Sequence, residues 1–142
     1  MIAIGSDHGG FELKQEIMAH LRERGLEYKD YGTYTAESCD YPDYGKAVAR
    51  AVASGEAEKG IIICGTGIGI SISANKVRGI RAALCHDCFS AEMTRLHNDA
   101  NVLAMGARVV GPGLALKITD TFLDTPFSYD ERHIRRIGKI ED

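Results

Sequence analysis

The stretch Gly60-Ile61-Ile62-Ile63-Cys64-Gly65-Thr66-Gly67-Ile68-Gly69-Ile70-Ser71-Ile72-Ser73-Ala74-Asn75 decides how this chain folds. Its consecutive isoleucines, β-branched and apolar, predict a strand buried on both faces. Alternating glycines then break the run at Gly65, Gly67 and Gly69, and an apolar segment resumes toward Ala74-Asn75-Lys76. The reading is strand, loop, helix. Without Cβ atoms the glycines turn tightly and let their N–H groups approach a ligand. A helix starting there adds the positive end of its dipole. Cys64 stands where the strand ends and the row of donors begins, and a thiol in that setting ionises more readily.

Two nucleotide-binding motifs fail on this loop. A P-loop needs a lysine before its serine or threonine, and none is present. A dinucleotide fingerprint needs glycine at its sixth place, where this chain has Ile70. A glycine turn of purely structural use stays open.

On either side of this stretch, strands alternate with helices. Residues 2–6 read as a first strand, followed by the turn Asp7-His8-Gly9-Gly10. Leu13, Ile17, Met18 and Leu21 form a helical stripe that Gly25 ends. Residues 26–31 read as a weaker strand, and 32–43 as an irregular polar segment. A helix with Tyr44, Val48, Ala51 and Val52 inward runs to about Gly55. After the glycine loop, its helix extends to about Val77, and a fourth strand covers 80–85. Residues 87–97 read as a helix and 101–105 as a fifth strand. A helix within 109–123 and a basic helix at about 128–140 close the chain. This alternation predicts one domain over residues 1–142, a three-layer α/β/α sandwich with a five-stranded parallel, Rossmann-like sheet.

The 142 residues suffice for one domain with a real core. A net charge of −3 gives no electrostatic case for a nucleic-acid or membrane-surface partner. No apolar run approaches a membrane span, and the N-terminus lacks a basic signal-peptide region. The expected location is cytoplasmic, where the four cysteines stay reduced.

In parallel sheets ligands bind beyond the carboxyl ends of the strands. The polar residues there are Asp7 and His8, Cys64 to Gly69, His86 and Asp87, and Arg108. Asp7-His8 reads equally as an acid/base pair or as a turn with a helix cap. Cys85 and Cys88 have the spacing of paired zinc ligands, but no second ligand pair follows. His20 reads as an inert residue on the exposed face of the first helix. His97 and Asn98 end a helix at the opposite edge of the sheet, so a site using them calls for a second subunit. Arg132 and Arg136, four apart, share a helix face suited to a phosphate or simply to solvent.

The segments Gly5-Ser6-Asp7-His8-Gly9-Gly10-Phe11, Asp40-Tyr41-Pro42, Cys64 to Ser71, Ala74-Asn75-Lys76, His97-Asn98-Asp99-Ala100-Asn101-Val102-Leu103 and Gly106-Ala107-Arg108-Val109 occur in order across nearly the whole chain. Together they closely resemble the type B ribose-5-phosphate isomerases, whose wider family includes allose-6-phosphate and galactose-6-phosphate isomerases. The resemblance implies an aldose–ketose isomerase without metal or cofactor, interconverting ribose 5-phosphate and ribulose 5-phosphate through ring opening and a cis-enediolate. It implies a homodimer or dimer of dimers with sites shared between subunits. By position Cys64 matches the base, and Thr66 a residue assisting proton movement at the substrate oxygens. One branch of the family carries a glutamate base at the position of Ile70, a role isoleucine cannot take. Gly65, Gly67, Ile68 and Gly69 match the anion hole, and His97 with Asp7 the ring-opening groups. Tyr41 and Asn98 match sugar-hydroxyl contacts. His8, Arg108, Arg132 and Arg136 match phosphate ligands, and Arg135 has no assignment. A six-carbon substrate, a non-catalytic sugar-phosphate-binding subunit and a thiol redox enzyme using Cys85 and Cys88 are the rival readings.

Overall fold

A computed structural model describes all residues, Met1–Asp142. Strands β1 (Ile2–Ser6), β2 (Tyr28–Asp30), β3 (Lys59–Cys64), β4 (Ala82–Leu84) and β5 (Val102–Gly106) form one sheet in the order β2-β1-β3-β5-β4, every pair parallel. A 3₁₀ turn, His8–Gly10, leads into α1 (Phe11–Glu23). The remaining helices are α2 (Tyr41–Ala53), α3 (Ile68–Ala74), α4 (Cys88–Asn98), α5 (Pro112–Asp124) and α6 (Glu131–Glu141). No helix is long and apolar enough to cross a membrane.

Successive side chains of a strand face opposite sides of the sheet. In β3, Ile61 and Ile63 join the core under α1 and α5, with Leu21, Leu103, Met105 and Phe122. Ile62 and Cys64 join the core under α2 and α3, with Val48, Ile70 and Ala104. Both faces are therefore packed, which explains why the three isoleucines run without a polar interruption. The α/β/α sandwich expected from the alternation is the observed fold.

Boundaries differ where local rules compete. The irregular reading of 32–43 is corrected at its end: α2 already begins at Tyr41, with Pro42 in its first turn, where a missing N–H is no loss. Strands β2 and β4, expected over 26–31 and 80–85, hold three residues each at the sheet edges. Helix α3 stops at Ala74, three residues before the expected end, and α5 waits until Pro112.

The order of the strands fixes where a ligand fits. The chain leaves β1 toward β2 but continues from β3 toward the other edge. The loops after β1 and β3 therefore diverge to opposite faces, leaving a crevice at the carboxyl ends of these neighbouring strands. Asp7-His8-Gly9 and the Cys64–Gly69 loop flank that crevice.

Candidate active site

Cys64 closes β3 and is nearly enclosed, with 4% of its surface exposed. Its Sγ accepts the Gly67 N–H at 3.1 Å. That turn needs Gly67 at φ 76°, the left-handed region where a side chain is strained. A Cβ there would also stand 2.5 Å from Leu84 Cδ1 and 2.7 Å from the Met105 carbonyl carbon. Of the remaining loop amides, Ile68 N–H donates to Thr66 Oγ1 at 3.2 Å. The N–H groups of Gly65, Thr66 and Gly69 make no hydrogen bond within the chain. Since Thr66 Oγ1 accepts, its own O–H is free to donate. Helix α3 has only seven residues, so individual N–H donors, more than a long helix dipole, define the loop's electrostatics.

Several predicted residues surround this loop. Asp7 is buried and its Oδ1 accepts the Gly10 N–H at 3.1 Å, so it caps the 3₁₀ turn. The cap reading therefore holds for one carboxylate oxygen. His8 Nδ1 accepts the Cys39 N–H at 3.2 Å, which puts the proton of a neutral ring on Nε2. A Cβ on Gly65 would lie 3.1 Å from Arg108 Nη1, so that guanidinium rests on the loop backbone. Tyr41 covers Gly69 so closely that a Cβ there would stand 2.5 Å from the ring and 2.8 Å from the hydroxyl.

His97, Asn98, Arg132 and Arg136 form a second group. They line a cleft of about 370 Å³ between the end of α4 and α6, together with His133, Ile137 and Ile140. The His97 and His133 rings lie 4.5 Å apart, and His133 Nδ1 is 2.6 Å from Ser128 Oγ. Arg132 is chelated by Asp130, which also accepts its N–H at 2.9 Å. That contact holds the Asp130 carboxyl below the usual carboxylate range. Arg136 and Arg135 have no ion pair; only Arg136 faces the cleft. Because α4 runs back from the carboxyl edge of the sheet, this group sits at the amino edge. A strand of five or six residues, roughly 17–20 Å, separates it from Cys64. One chain thus places the two groups of predicted residues at opposite edges of the sheet and does not join them.

The largest cavity, about 530 Å³, lies elsewhere, bounded by Arg78, Arg81, Ala82, Asn98 and Ile140 beside edge strand β4. Of the predicted residues it holds Asn98 alone.

Other expectations resolve by contact. His86 Nε2 accepts the Gly106 N–H at 3.0 Å, and Asp87 caps α4 through Ser90 N–H at 2.6 Å. Cys85 is packed in the core, and burial, aided by Asp87, pushes its thiol up to about 11. A thiol so hard to ionise is a poor redox or metal-binding group. The reading of His20 as an exposed, inert residue is corrected: it is half-buried, and Nε2 lies 2.8 Å from Asp120 Oδ1, which also binds Arg24. Two buried or neighbouring polar contacts were not foreseen. Lys14 falls on the apolar stripe of α1 beside Ile17, Met18 and Leu21, and a charge on that stripe was the available signal. The Cys39 amide left none, because its contact with His8 depends on the path of a loop.

The comparisons agree with this architecture. Residues 2–140 match the family described as Ribose/Galactose Isomerase. The chain is 55% identical to ribose-5-phosphate isomerase B of Escherichia coli (strain K12), covering 98% of this chain and 93% of the relative. It is 48% identical to D-erythrulose-4-phosphate isomerase of Pectobacterium atrosepticum, covering 89% and 84%. The solved structure of Clostridium thermocellum ribose-5-phosphate isomerase B superposes with a TM-score of 0.97 at 59% identity, over 99% of this chain and 94% of that one. A match spanning nearly the whole chain, on the same sheet and the same strand-end loops, places this protein in the ribose/galactose isomerase family.

Proposed function

We propose that this chain interconverts ribose 5-phosphate and ribulose 5-phosphate, with Cys64 as the base and the amides of Gly65 to Gly69 as the oxyanion acceptor. The observation that carries the reading is Cys64 Sγ at 3.1 Å from the Gly67 N–H, beside loop amides with no acceptor in the chain. The names of the Escherichia coli and Clostridium thermocellum relatives support the substrate.

The chemistry requires such a loop. The proton beside a sugar carbonyl is weakly acidic, so the charge appearing on oxygen must be met as it forms. Oriented N–H donors do this, and removing one typically costs about 2.7–4 kcal/mol of barrier. The Cys64 thiolate takes the proton from C2 of the open-chain aldose and returns it to C1. The Thr66 hydroxyl, free to donate, serves the proton exchange between O1 and O2. Sugar phosphates arrive mostly as rings, so an acid/base group must first open the ring. His97 is suited to this because an imidazole can both accept and donate a proton, with Asp7 as its counterpart. Tyr41 and Asn98 contact hydroxyls. His8, Arg108, Arg132 and Arg136 hold the phosphate, whose binding energy presses the reacting carbons against the base.

The two half-sites lie at opposite edges of one chain, and this favours a homodimer in which His97, Asn98, Arg132 and Arg136 of one copy complete the loop site of the other. Cys64→Ala tests the function directly: isomerisation should fall by roughly 10²–10⁴-fold while the sugar phosphate still binds. Near-normal turnover in that variant would overturn the base assignment. The family's galactose branch and the erythrulose 4-phosphate relative differ from ribose 5-phosphate in carbon number. Comparing kcat/KM for four-, five- and six-carbon phosphates on the purified chain settles the preference, and activity of that chain alone rules out the subunit reading.

A further inference from the structure

Lys14 is a charged side chain with no exposed surface, among the largest so buried, and nothing in the isomerisation chemistry uses it. Burying a charge is costly unless it is fully paired, and an apolar residue of similar volume is often as stable or more so. Its contacts therefore indicate what it is retained for. Nζ lies 2.7 Å from Asp30 Oδ1 and donates to the Thr33 carbonyl. It also sits 5.5 Å and 5.6 Å from the ring centres of Phe11 and Tyr34, within cation–π range. Apart from the Phe11 ring, one turn earlier in α1, every partner belongs to the segment 30–34.

That segment abuts the candidate site. Asp30 Oδ1 also accepts the Gly32 N–H at 2.8 Å. Beyond the end of β2, Tyr31 N–H donates to Ile4 O, Ser6 N–H to Gly32 O and Thr33 N–H to Ser6 O, at 2.7–2.8 Å. Residues 31–33 are thus bound along the end of β1, immediately before Asp7 and His8. A few residues further on, the same loop returns to His8, where the Cys39 N–H fills Nδ1.

We propose that Lys14 is a positioning residue for substrate binding. By tying Asp30 and Thr33 to α1 it anchors the 31–39 loop, so that the Cys39 amide holds the His8 ring with Nε2–H turned to the phosphate. The part concerning substrate rests on the assignment of His8 to the phosphate, and the coupling of Lys14 to His8 does not.

The test reads the imidazole itself. ¹⁵N NMR of the folded protein, with the His8 signals assigned by their loss in His8→Asn, should show one dominant Nε2–H tautomer. In Lys14→Met that preference should collapse toward a mixture, and KM for ribose 5-phosphate should rise about tenfold with kcat within about twofold. Cys39→Pro, which deletes the one N–H at the far end of the loop, should produce the same two changes. Asp30→Asn, which keeps the size and removes the counter-charge, should produce a weaker version, and these two carry the test if Lys14→Met does not fold. A folded Lys14→Met with a wild-type tautomer overturns the proposal, as does an unchanged tautomer in both Cys39→Pro and Asp30→Asn. A wild-type KM in His8→Asn removes His8 from the substrate site and refutes the KM part, while the tautomer still decides the coupling.

Discussion

The two groups of candidate site residues are built on opposite principles. The loop after β3 stands on a strand packed on both faces, and its backbone is fixed by contacts that leave no room for a side chain at Gly67 or Gly69. The cleft of His97 and Arg136 stands on α6, a helix with no buried residue, fastened to the rest by contacts with α4 and by Arg81 Nη1 to Glu141 Oε1 at 2.6 Å. Under the proposed roles the base and its oxyanion donors stand on the buried element, while the ring-opening His97 and the phosphate arginines Arg132 and Arg136 stand on exposed helix surface. The contrast is one of burial, and both regions carry chemistry as well as binding under that proposal.

The largest expected effect lies on the rigid side. Cys64→Ala should lower kcat by roughly 10²–10⁴-fold, the contribution of a positioned base, with little change in Tm. His97→Asn should be severe on ring-form substrate and mild on an open-chain analogue; equal losses on both would end its ring-opening role. Mixing the two inactive variants after joint refolding breaks the comparison open. If the half-sites belong to different copies, random pairing restores one complete site in each mixed dimer, about a quarter of wild-type activity. No recovery would mean that both residues serve the same chain's site.

Gly67→Ala comes next. It combines a left-handed backbone, about 1–2 kcal/mol, with overpacking against Leu84 and Met105, about 1–3 kcal/mol. Thermal melts and turnover should fall together, because relief of the clash moves the Gly67 N–H away from Cys64 Sγ. A variant with wild-type stability and activity would show that the loop is less constrained than its geometry implies.

This contrast also explains what was legible beforehand. Ile61 to Gly69 announced itself because burial on both faces, tight turning and exposed donors each leave a residue-level trace. The edge strands β2 and β4 each read three residues too long, since apolar residues such as Leu26 and Ile80 pack against the core without joining a ladder. The place of His97 at the far edge followed from chain direction alone. The Asp130 clamp on Arg132, the cap formed by Asp7, the pairing of His20 with Asp120 and the Cys39 amide on His8 did not. They depend on which rotamer or loop path brings two polar groups together, and no periodicity encodes that.

On the looser side, Arg136→Ala should raise KM for the sugar phosphate about tenfold, near 1.4 kcal/mol, and leave kcat nearly unchanged. Because Arg136 is exposed and unpaired, stability should stay within about 0.5 kcal/mol of wild type. A fall in kcat equal to the rise in KM would mean that the phosphate clamp acts in the transition state as well.

The smallest effects separate the two regions by pH. Asp130, at the start of α6, has its carboxyl held low chiefly by Arg132. A lowered value favours the ionised form in the fold, so its contribution is present above the ordinary carboxylate range and disappears as pH falls through the folded value. Amide signals of α6 should therefore broaden or shift as pH falls below the ordinary 3.8, before those of β3 and β5. Cys85, in the core beside β4, is raised to about 11. A raised value favours the neutral thiol in the fold, so its contribution is complete below the ordinary 9.0 and is lost as pH climbs toward 11. Melting temperature should decline over that alkaline window more steeply in wild type than in Cys85→Ala. Parallel alkaline curves would show that the buried thiol does not govern the core's response, and an α6 that outlasts β3 in acid would reverse the ranking of the two regions.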